Sequence, residues 1–392
     1  MNYPVLQLKV KRERSILLKH PWIFSGGLEK KPKANEGDIV EIRSHQNEIL
    51  GYGFYSEKSQ ISCRMFDWNN KPSDFENTDY WAEKINQALA LRKTMLSEGT
   101  NAFRLLHAEG DFLPGIIADV YEKVVVVQIL VRGIEARKEL IIEAFRRNGF
   151  DNLYLKTKSS AQNIEAISSP SGWLSGSGEG KVIAKENNLL FKVDFAEGQK
   201  TGFFIDQRDN RYLLKTLSKN KKVLNTFCYT GGFSVYALSG GASEVHSVDI
   251  SEEAVRLAEE NVRLNFPVAL HKGIAKDCFE FLKDMPENEY DIIVLDPPAF
   301  AKNARAIDNA ARGYKQINMR AFKKIKPGGI LFTFSCSQNI SKELFQKIIF
   351  GAAADVGRNV RIIHQLHQPA DHPINIYHPE GEYLKGLVLW VE

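Results

Sequence analysis

Residues 221–251, KKVLNTFCYTGGFSVYALSGGASEVHSVDIS, decide the fold. The run KKVLNTF is an apolar strand that ends in a turn rich in glycine, Thr230-Gly231-Gly232. FSVYALSGG reads as a helix closed by glycines. EVHSVDI is a second strand, ending in Asp249, and Ser251 is the N-cap of the helix SEEAVRLAEENVRLN. The alternation continues downstream. EYDIIVLDPP is a strand ending in Asp296-Pro297-Pro298, and a helix follows it. Pro327-Gly328-Gly329 turns into the strand ILFTFSC, and another helix occupies about 341–354. VRIIHQL and KGLVLWVE are the last two strands. Alternating strands and helices, with continuous apolar strands, predict a doubly wound, mostly parallel sheet covered on both faces. This α/β domain is expected over 191–392.

Upstream the pattern differs. Residues 1–72 read as short strands separated by turns, among them GDIVEIRS (37–44), ILGYGFYS (49–56) and QISCRMF (60–66). The polar stretch 67–79 reads as a linker. Residues 73–190 read as a small α+β domain. It opens with a helix over 80–97, where Trp81, Ile85, Ala88, Leu89 and Arg92 recur at helical spacing. The strand pair FLPGIIADVY and KVVVVQILV follows, then the helix ARKELIIEAFRR and the strands NLYLKT and NLLFKVDF. Residues 168–180, rich in serine and glycine, read as a loop. The whole is a multidomain α/β chain.

A chain of 392 residues suits two or three domains. Its net charge of +4 permits nucleic acid as a partner without demanding it. No apolar run is long enough to span a bilayer, so no membrane is expected. MNYPVLQLKVKRER carries basic residues with no apolar stretch after them, so the expected location is cytoplasmic. Cys63, Cys228, Cys278 and Cys336 are far apart and form no CxxC pair. Neither a disulfide framework nor a metal site is expected.

In doubly wound sheets, ligands bind outside the carboxyl ends of the strands. The turn after the first strand lets a ligand approach the backbone closely. It lacks GxGxxG spacing, and the chain contains no GxxxxGK[ST]. Asp249, about 20 residues on, can bind both hydroxyls of a ribose. It can equally favour the dipole of the next helix. Turn and carboxylate together indicate a nucleoside-bearing cofactor, either a dinucleotide or S-adenosylmethionine. Asp277, in KDCFEFL, can accept from an adenine amine or cap a helix, and both readings stay open.

Two prolines make the exit from the Asp296 strand extended and rigid. That geometry suits a carboxylate gripping an amine or ring nitrogen of a base, with Phe300 available to stack on it. The next strand ends in Ser335-Cys336-Ser337 and should lie beside the Asp296 strand. A thiolate next to a base-gripping carboxylate is what methylation at cytosine C5 needs. Thiolate attack at C6 makes C5 enamine-like, so C5 can accept a methyl group. The other three cysteines read as structural.

The motifs TGFFIDQRDNR (201–211), LNTFCYTGGFS (224–234), SVDIS (247–251), LDPPAFAK (295–302), RGYKQIN (312–318) and FSCS (334–337) occur together. In this combination the chain resembles the 23S ribosomal RNA cytosine-5 methyltransferase I family. HPWIFSGGL, GDIVEI, ILGYGFYS and QISCRMF resemble that family's N-terminal PUA-like RNA-binding β barrel, and EGDFLPGIIADVY its central domain. The resemblance covers essentially the whole chain. It implies a Rossmann-like class I methyltransferase domain that uses S-adenosyl-L-methionine. It implies cofactor contacts at Tyr229, Thr230 and Gly231, the ribose at Asp249 and the adenine at Asp277. Phe203, Gln207 and Arg208 would line the cofactor pocket. Asp296 would hold the target base, and Cys336 would be the nucleophile. Many other RNA cytosine-5 methyltransferases carry a second cysteine after Asp-Pro-Pro. Here that position is Ala299, so the base that removes the C5 proton is unassigned.

The implied partner is RNA, namely 23S ribosomal RNA, and the resemblance leaves a homodimer open. A base must be single-stranded or flipped out to enter such a pocket. Lys9, Lys11, Arg12 and Arg14, near Lys19 and His20-Pro21-Trp22, can contact an RNA backbone or simply form a solvated face. Arg305, Arg312 and Lys315 are placed to meet phosphates near the Asp-Pro-Pro turn, or form an exposed helix face. Three other functions compete: methylation of guanine, an RNA-binding ribosome-assembly factor with an idle fold, and a nicotinamide dehydrogenase.

Overall fold

Short alternating stretches at the N-terminus make five strands: β1 (Val5–Gln7), β2 (Trp22–Phe24), β3 (Ile39–Arg43), β4 (Ile49–Tyr55) and β5 (Ile61–Asp67). In this computed structural model, residues 3–71, 73–158, 165, 167–301 and 303–392 are described. Pro72, at the first expected domain boundary, and Lys302, the last residue of LDPPAFAK, lie outside them. The five strands form one sheet in the order β1-β3-β4-β5-β2. β1 is parallel to β3, and the other neighbours are antiparallel. Leu6, Leu8, Val40, Ile42, Cys63 and Met65 are buried in its core. Gly53 belongs to that packing, since a Cβ there would lie 2.6 Å from Cys63 Sγ.

The expected linker at 67–79 is anchored at its centre. Phe75 is fully buried, with its ring 5.4 Å from Tyr3 and 5.1 Å from Phe66. One aromatic residue in a polar stretch is enough to fix the path of the chain.

The strands of the central sheet are β6 (Ala102–His107), β7 (Ile116–Tyr121), β8 (Val124–Ile129), β9 (Asn152–Leu155) and β10 (Gly172–Ser175). Their order is β10-β9-β8-β7-β6. Every residue of β8 is buried, as its VVVVQI sequence requires. The helix Lys138–Arg147 forms the crossover between β8 and β9, which are parallel. β10 corrects the expectation of a loop over 168–180. Gly172 pairs with Leu155, and the Trp173 ring packs 5.5 Å from Tyr154 and 5.8 Å from Phe195. The surrounding glycines and serines conceal a strand whose Trp173 packs on two aromatic rings.

The helix Thr78–Met95 is capped by Asn77 and buries Trp81, Ile85, Ala88 and Arg92. Arg92 is completely buried. It donates to Arg104 O at 2.8 Å, to Asp111 Oδ2 at 2.7 Å and to Asp371 O at 2.9 Å. Asp371 Oδ2 in turn accepts from the Arg104 N–H at 2.9 Å. Arg92 therefore fastens the segment Ala370–Gly381, which belongs to the first of the two units of the chain, to this helix. Arg92→Leu leaves the buried Asp111 carboxylate without its cation. We expect it to lower unfolding stability by about 3–5 kcal/mol in a denaturant titration. A loss below about 1 kcal/mol would show that the guanidinium does not hold this segment.

The second unit comprises Glu186–Lys192, Asp206–Pro369 and Glu382–Glu392. Its strands are β13 (Lys222–Thr226), β14 (Glu244–Asp249), β15 (His271–Ala275), β16 (Ile292–Leu295), β17 (Gly329–Ser335), β18 (Val360–Leu366) and β19 (Lys385–Val391). A short hairpin, β11 (Lys181–Glu186) and β12 (Leu189–Asp194), precedes them. The seven-stranded order is β15-β14-β13-β16-β17-β19-β18. The strands from β15 to β17 are parallel, and β19 is antiparallel to both of its neighbours. β16 and β17 are buried along their whole length. This is the doubly wound sheet expected from the alternation. Among the described residues no helix is long and apolar enough to cross a membrane.

Candidate active site

The sheet order reverses at β13. The chain first steps outward to β14 and β15, then returns to β16 on the other side. A crevice opens at the carboxyl ends of strands at such a switch point. The expected site residues of this unit gather there by strand.

The turn after β13 is strained and tightly held. Phe227 and Tyr229 adopt left-handed φ values of 55° and 43°, and Gly231 has φ 74°. A residue other than glycine in that region costs about 1–3 kcal/mol, so surrounding bonds must impose it. Those bonds are present. The Cys228 N–H donates to Val248 O at 3.1 Å, and the Tyr229 N–H donates to Asp249 Oδ2 at 3.0 Å. Asn261 Nδ2 donates to Thr230 O at 2.9 Å. Gly231 has no substitute, because a Cβ would lie 2.8 Å from the Cβ of Ala258. The helix Gly232–Ser239 begins here, and its N-cap, Gly231, has no side chain with which to cap it. Its first N–H groups suit an anionic group such as a carboxylate.

Asp249 closes β14 and is half-buried. Its two oxygens accept from the N–H groups of Tyr229 and Ser251, the latter at 3.1 Å. Each oxygen can accept a second bond, so the carboxylate can also take a pair of ribose hydroxyls. Asp277 is exposed and caps the helix Cys278–Asp284, with Oδ1 accepting from the Glu280 N–H at 3.0 Å. Of the two readings left open for Asp277, the cap is the one the geometry displays. Taken together, the uncapped helix start, the strained turn and the Asp249 acceptor fit a nucleoside bearing a carboxylate tail.

Asp296 and Cys336 leave adjacent strands. β16 pairs with β17 in parallel, with Leu295 opposite Thr333. Asp296 directly follows β16, and Cys336 directly follows β17. Cys336 Sγ lies 4.0 Å from Pro297 O. Gln207 Nε2 donates to Asp296 Oδ1 at 3.0 Å, and Gln207 Oε1 accepts from Asn210 Nδ2 at 2.6 Å. Gln207, expected beside the cofactor, therefore orients the Asp296 carboxylate.

Burial separates the four thiols. Cys63, Cys228 and Cys278 are buried, and Cys336 is partly open. Desolvation pushes the Cys63 and Cys228 thiols far up, and the Cys278 thiol up to about 12. Those three are inert packing, as their positions suggest.

Other expected residues have different surroundings. Arg208 is buried, with Nε 3.4 Å from Glu186 Oε2, a carboxylate also held by Arg211 at 2.7 Å. Phe203 is buried in the first unit, where its carbonyl accepts from the Tyr121 hydroxyl at 3.3 Å. The Phe300 ring packs 4.7 Å from Tyr314. Lys315 is paired with Asp355 at 2.7 Å, which reduces its value for phosphates, while Arg305 is exposed.

Sequence reasoning missed a buried hub behind Cys336. Ser337 Oγ meets the Tyr314 hydroxyl at 2.9 Å and accepts from the Ala301 N–H at 3.2 Å. Tyr314 lies within the quoted motif RGYKQIN, but nothing in that pattern shows which residue faces Ser337.

Comparison with known proteins gives the family and the domains. Residues 159–379 match the family model for S-adenosylmethionine-dependent methyltransferases, and residues 6–68 match that of a PUA-like domain. A protein of Tolumonas auensis named ribosomal RNA large subunit methyltransferase I is 42% identical over 390 residues, covering 97% of this chain and 98% of its own. One of the same name from Alteromonas mediterranea is 41% identical over 387 residues, covering 97% of each chain. A crystal structure described as a methyltransferase complexed with SAH superposes with a TM-score of 0.85 at 23% identity, covering 99% of this chain and 100% of its own. That likeness shows the shared fold.

Proposed function

The chain belongs to the ribosomal RNA large subunit methyltransferase I family, and from that membership we propose that it methylates C5 of a cytosine in 23S ribosomal RNA. S-adenosylmethionine is its cofactor and supplies an electrophilic methyl group when bound. The observation that carries the cytosine reading is the placement of Cys336. It is the partly open thiol among four, on the strand end beside Asp296.

The chemistry follows from the two side chains. Asp296, held by Gln207, accepts from the exocyclic amine of the flipped base and fixes its plane. Cys336, as thiolate, bonds to C6, and the ring electrons shift toward C5. C5 would then take the methyl group, its old bond to the sulfonium sulfur breaking and the electron pair leaving on the neutral thioether. A base then removes the proton from C5, the ring electrons return, and the C6–S bond breaks to release the thiolate. With Ala299 after the two prolines, no second thiol stands at that position to assist release. Tyr229, Thr230 and Gly231 would hold the cofactor, and Asp249 would bind its ribose. Asp277 would accept from its adenine, and Gln207 and Arg208 would border the pocket.

RNA is read at the N-terminal sheet. A groove there is lined by Arg12, Ser15, Trp22, Phe24, Gly26 and Gly27. Phe24 is 52% exposed, which suits stacking on a base, and nothing lies within 4 Å of a Cβ built on Gly26. Arg12 supplies positive charge for the phosphates.

The test is direct. The protein is incubated with radiolabelled S-adenosylmethionine and unmodified 23S ribosomal RNA, and the labelled nucleoside is identified after digestion. Label in 5-methylcytidine supports the reading. Label in a guanine derivative, or none despite tight cofactor binding, overturns it.

A further inference from the structure

β19 runs antiparallel to β17 and sets Lys385 opposite Ser335, the residue before Cys336. Lys385 is 5% exposed. Its ammonium donates to Ser337 O at 2.7 Å and to Ile340 O at 2.6 Å. Those carbonyls belong to the turn that leaves β17 directly behind the thiol. A buried ammonium is costly and needs compensation. Two carbonyl dipoles supply part of it.

The charged and titratable groups around the pair come from four elements. Glu382 precedes β19, and Lys342 opens the helix Lys342–Val356. These two are bound to each other at 2.5 Å. Tyr314, on the helix Ile307–Lys324, stays neutral because burial raises its pKa. Asp296 stands at the end of β16. Burial lowers the Lys385 pKa to about 8, with Cys336 and Glu382 acting to raise it and Lys342 to lower it. Such an interaction is reciprocal: a charge that the thiolate stabilises also stabilises the thiolate.

We propose that Lys385 is a positioning residue for Cys336: it fixes the turn behind the thiol and supplies the positive charge that favours the thiolate. The idea rests on the reading of Cys336 as nucleophile, but the acidity of the thiol can be measured without any methyl transfer.

The experiment follows alkylation of the full chain by iodoacetamide across pH, with Cys336→Ala fixing the background from the buried thiols. For the wild type, the midpoint is expected below the ordinary cysteine value of about 8.5. In Lys385→Gln it is expected to rise by about one unit, with alkylation at neutral pH about tenfold slower. Lys385→Arg keeps the charge and should keep the wild-type midpoint. S-adenosylmethionine binding by calorimetry confirms that each variant is folded. An unchanged midpoint in a cofactor-binding Lys385→Gln overturns the proposal. If that variant fails to fold, the wild-type profile decides, and a midpoint at or above the ordinary value overturns it. A lowered midpoint in an enzyme that does not modify cytosine would retain the lysine's role and remove the proposed function instead.

Discussion

Cys336→Ala is expected to lose RNA methylation by at least about 10³-fold while cofactor affinity stays within about twofold of wild type. Without the thiolate, C6 loses its sulfur nucleophile and C5 of cytosine is not activated. Cys228 and Cys278 cannot substitute, since both are buried and their thiols are held protonated. The turn after β13 takes its shape from Asp249 and Val248 on β14 and from Asn261 on the helix that follows it, away from the strand that carries Cys336. The two readouts should therefore separate, with kcat collapsing and the Kd for S-adenosylmethionine unmoved. Single-turnover methylation and titration calorimetry on the same preparation measure both. Retained methylation in this variant would eliminate the covalent mechanism and favour a base attacked without a thiol, such as guanine.

Asp296→Asn is expected to reduce kcat by about 10²–10⁴-fold, again with little change in cofactor affinity. The substitution keeps the shape and removes the charge. Gln207 Nε2 donates to Asp296 Oδ1, so an asparagine would turn its carbonyl toward Gln207. Its own NH₂ would then face the exocyclic amine of the base, donor against donor. Comparison of kcat on 23S ribosomal RNA between the two proteins measures the loss. A fall of less than about tenfold would mean that Asp296 does not hold the reacting base.

The doubly wound domain was legible because its strands are continuous apolar runs joined by well-marked helices. Ser251 caps its helix as expected, accepting from the Ala254 N–H at 3.2 Å. The adjacency of Asp296 and Cys336 also followed from strand order alone, because parallel strands connected through one helix tend to be neighbours. The three-residue strands β1 and β2 were too short for any period to show. β10 was hidden because its Trp173 packs on rings distant in the chain.

The division within the site has the same cause. Local sequence determined which chemical groups stand at strand ends: a carboxylate after each of two apolar strands, a thiol after a third, and a glycine where φ must be positive. Each of those features depends on neighbours a few residues away, and a pattern can report them. Only the tertiary structure decided how the groups are held. Gln207 meets Asp296 across 89 residues of sequence, Tyr314 meets Ser337 across 23, and Lys385 meets Ser337 across 48. It also decided which of four cysteines is open to a ligand. Burial and hydrogen bonding between distant segments arise when strands and helices pack, and no spacing along the chain records them.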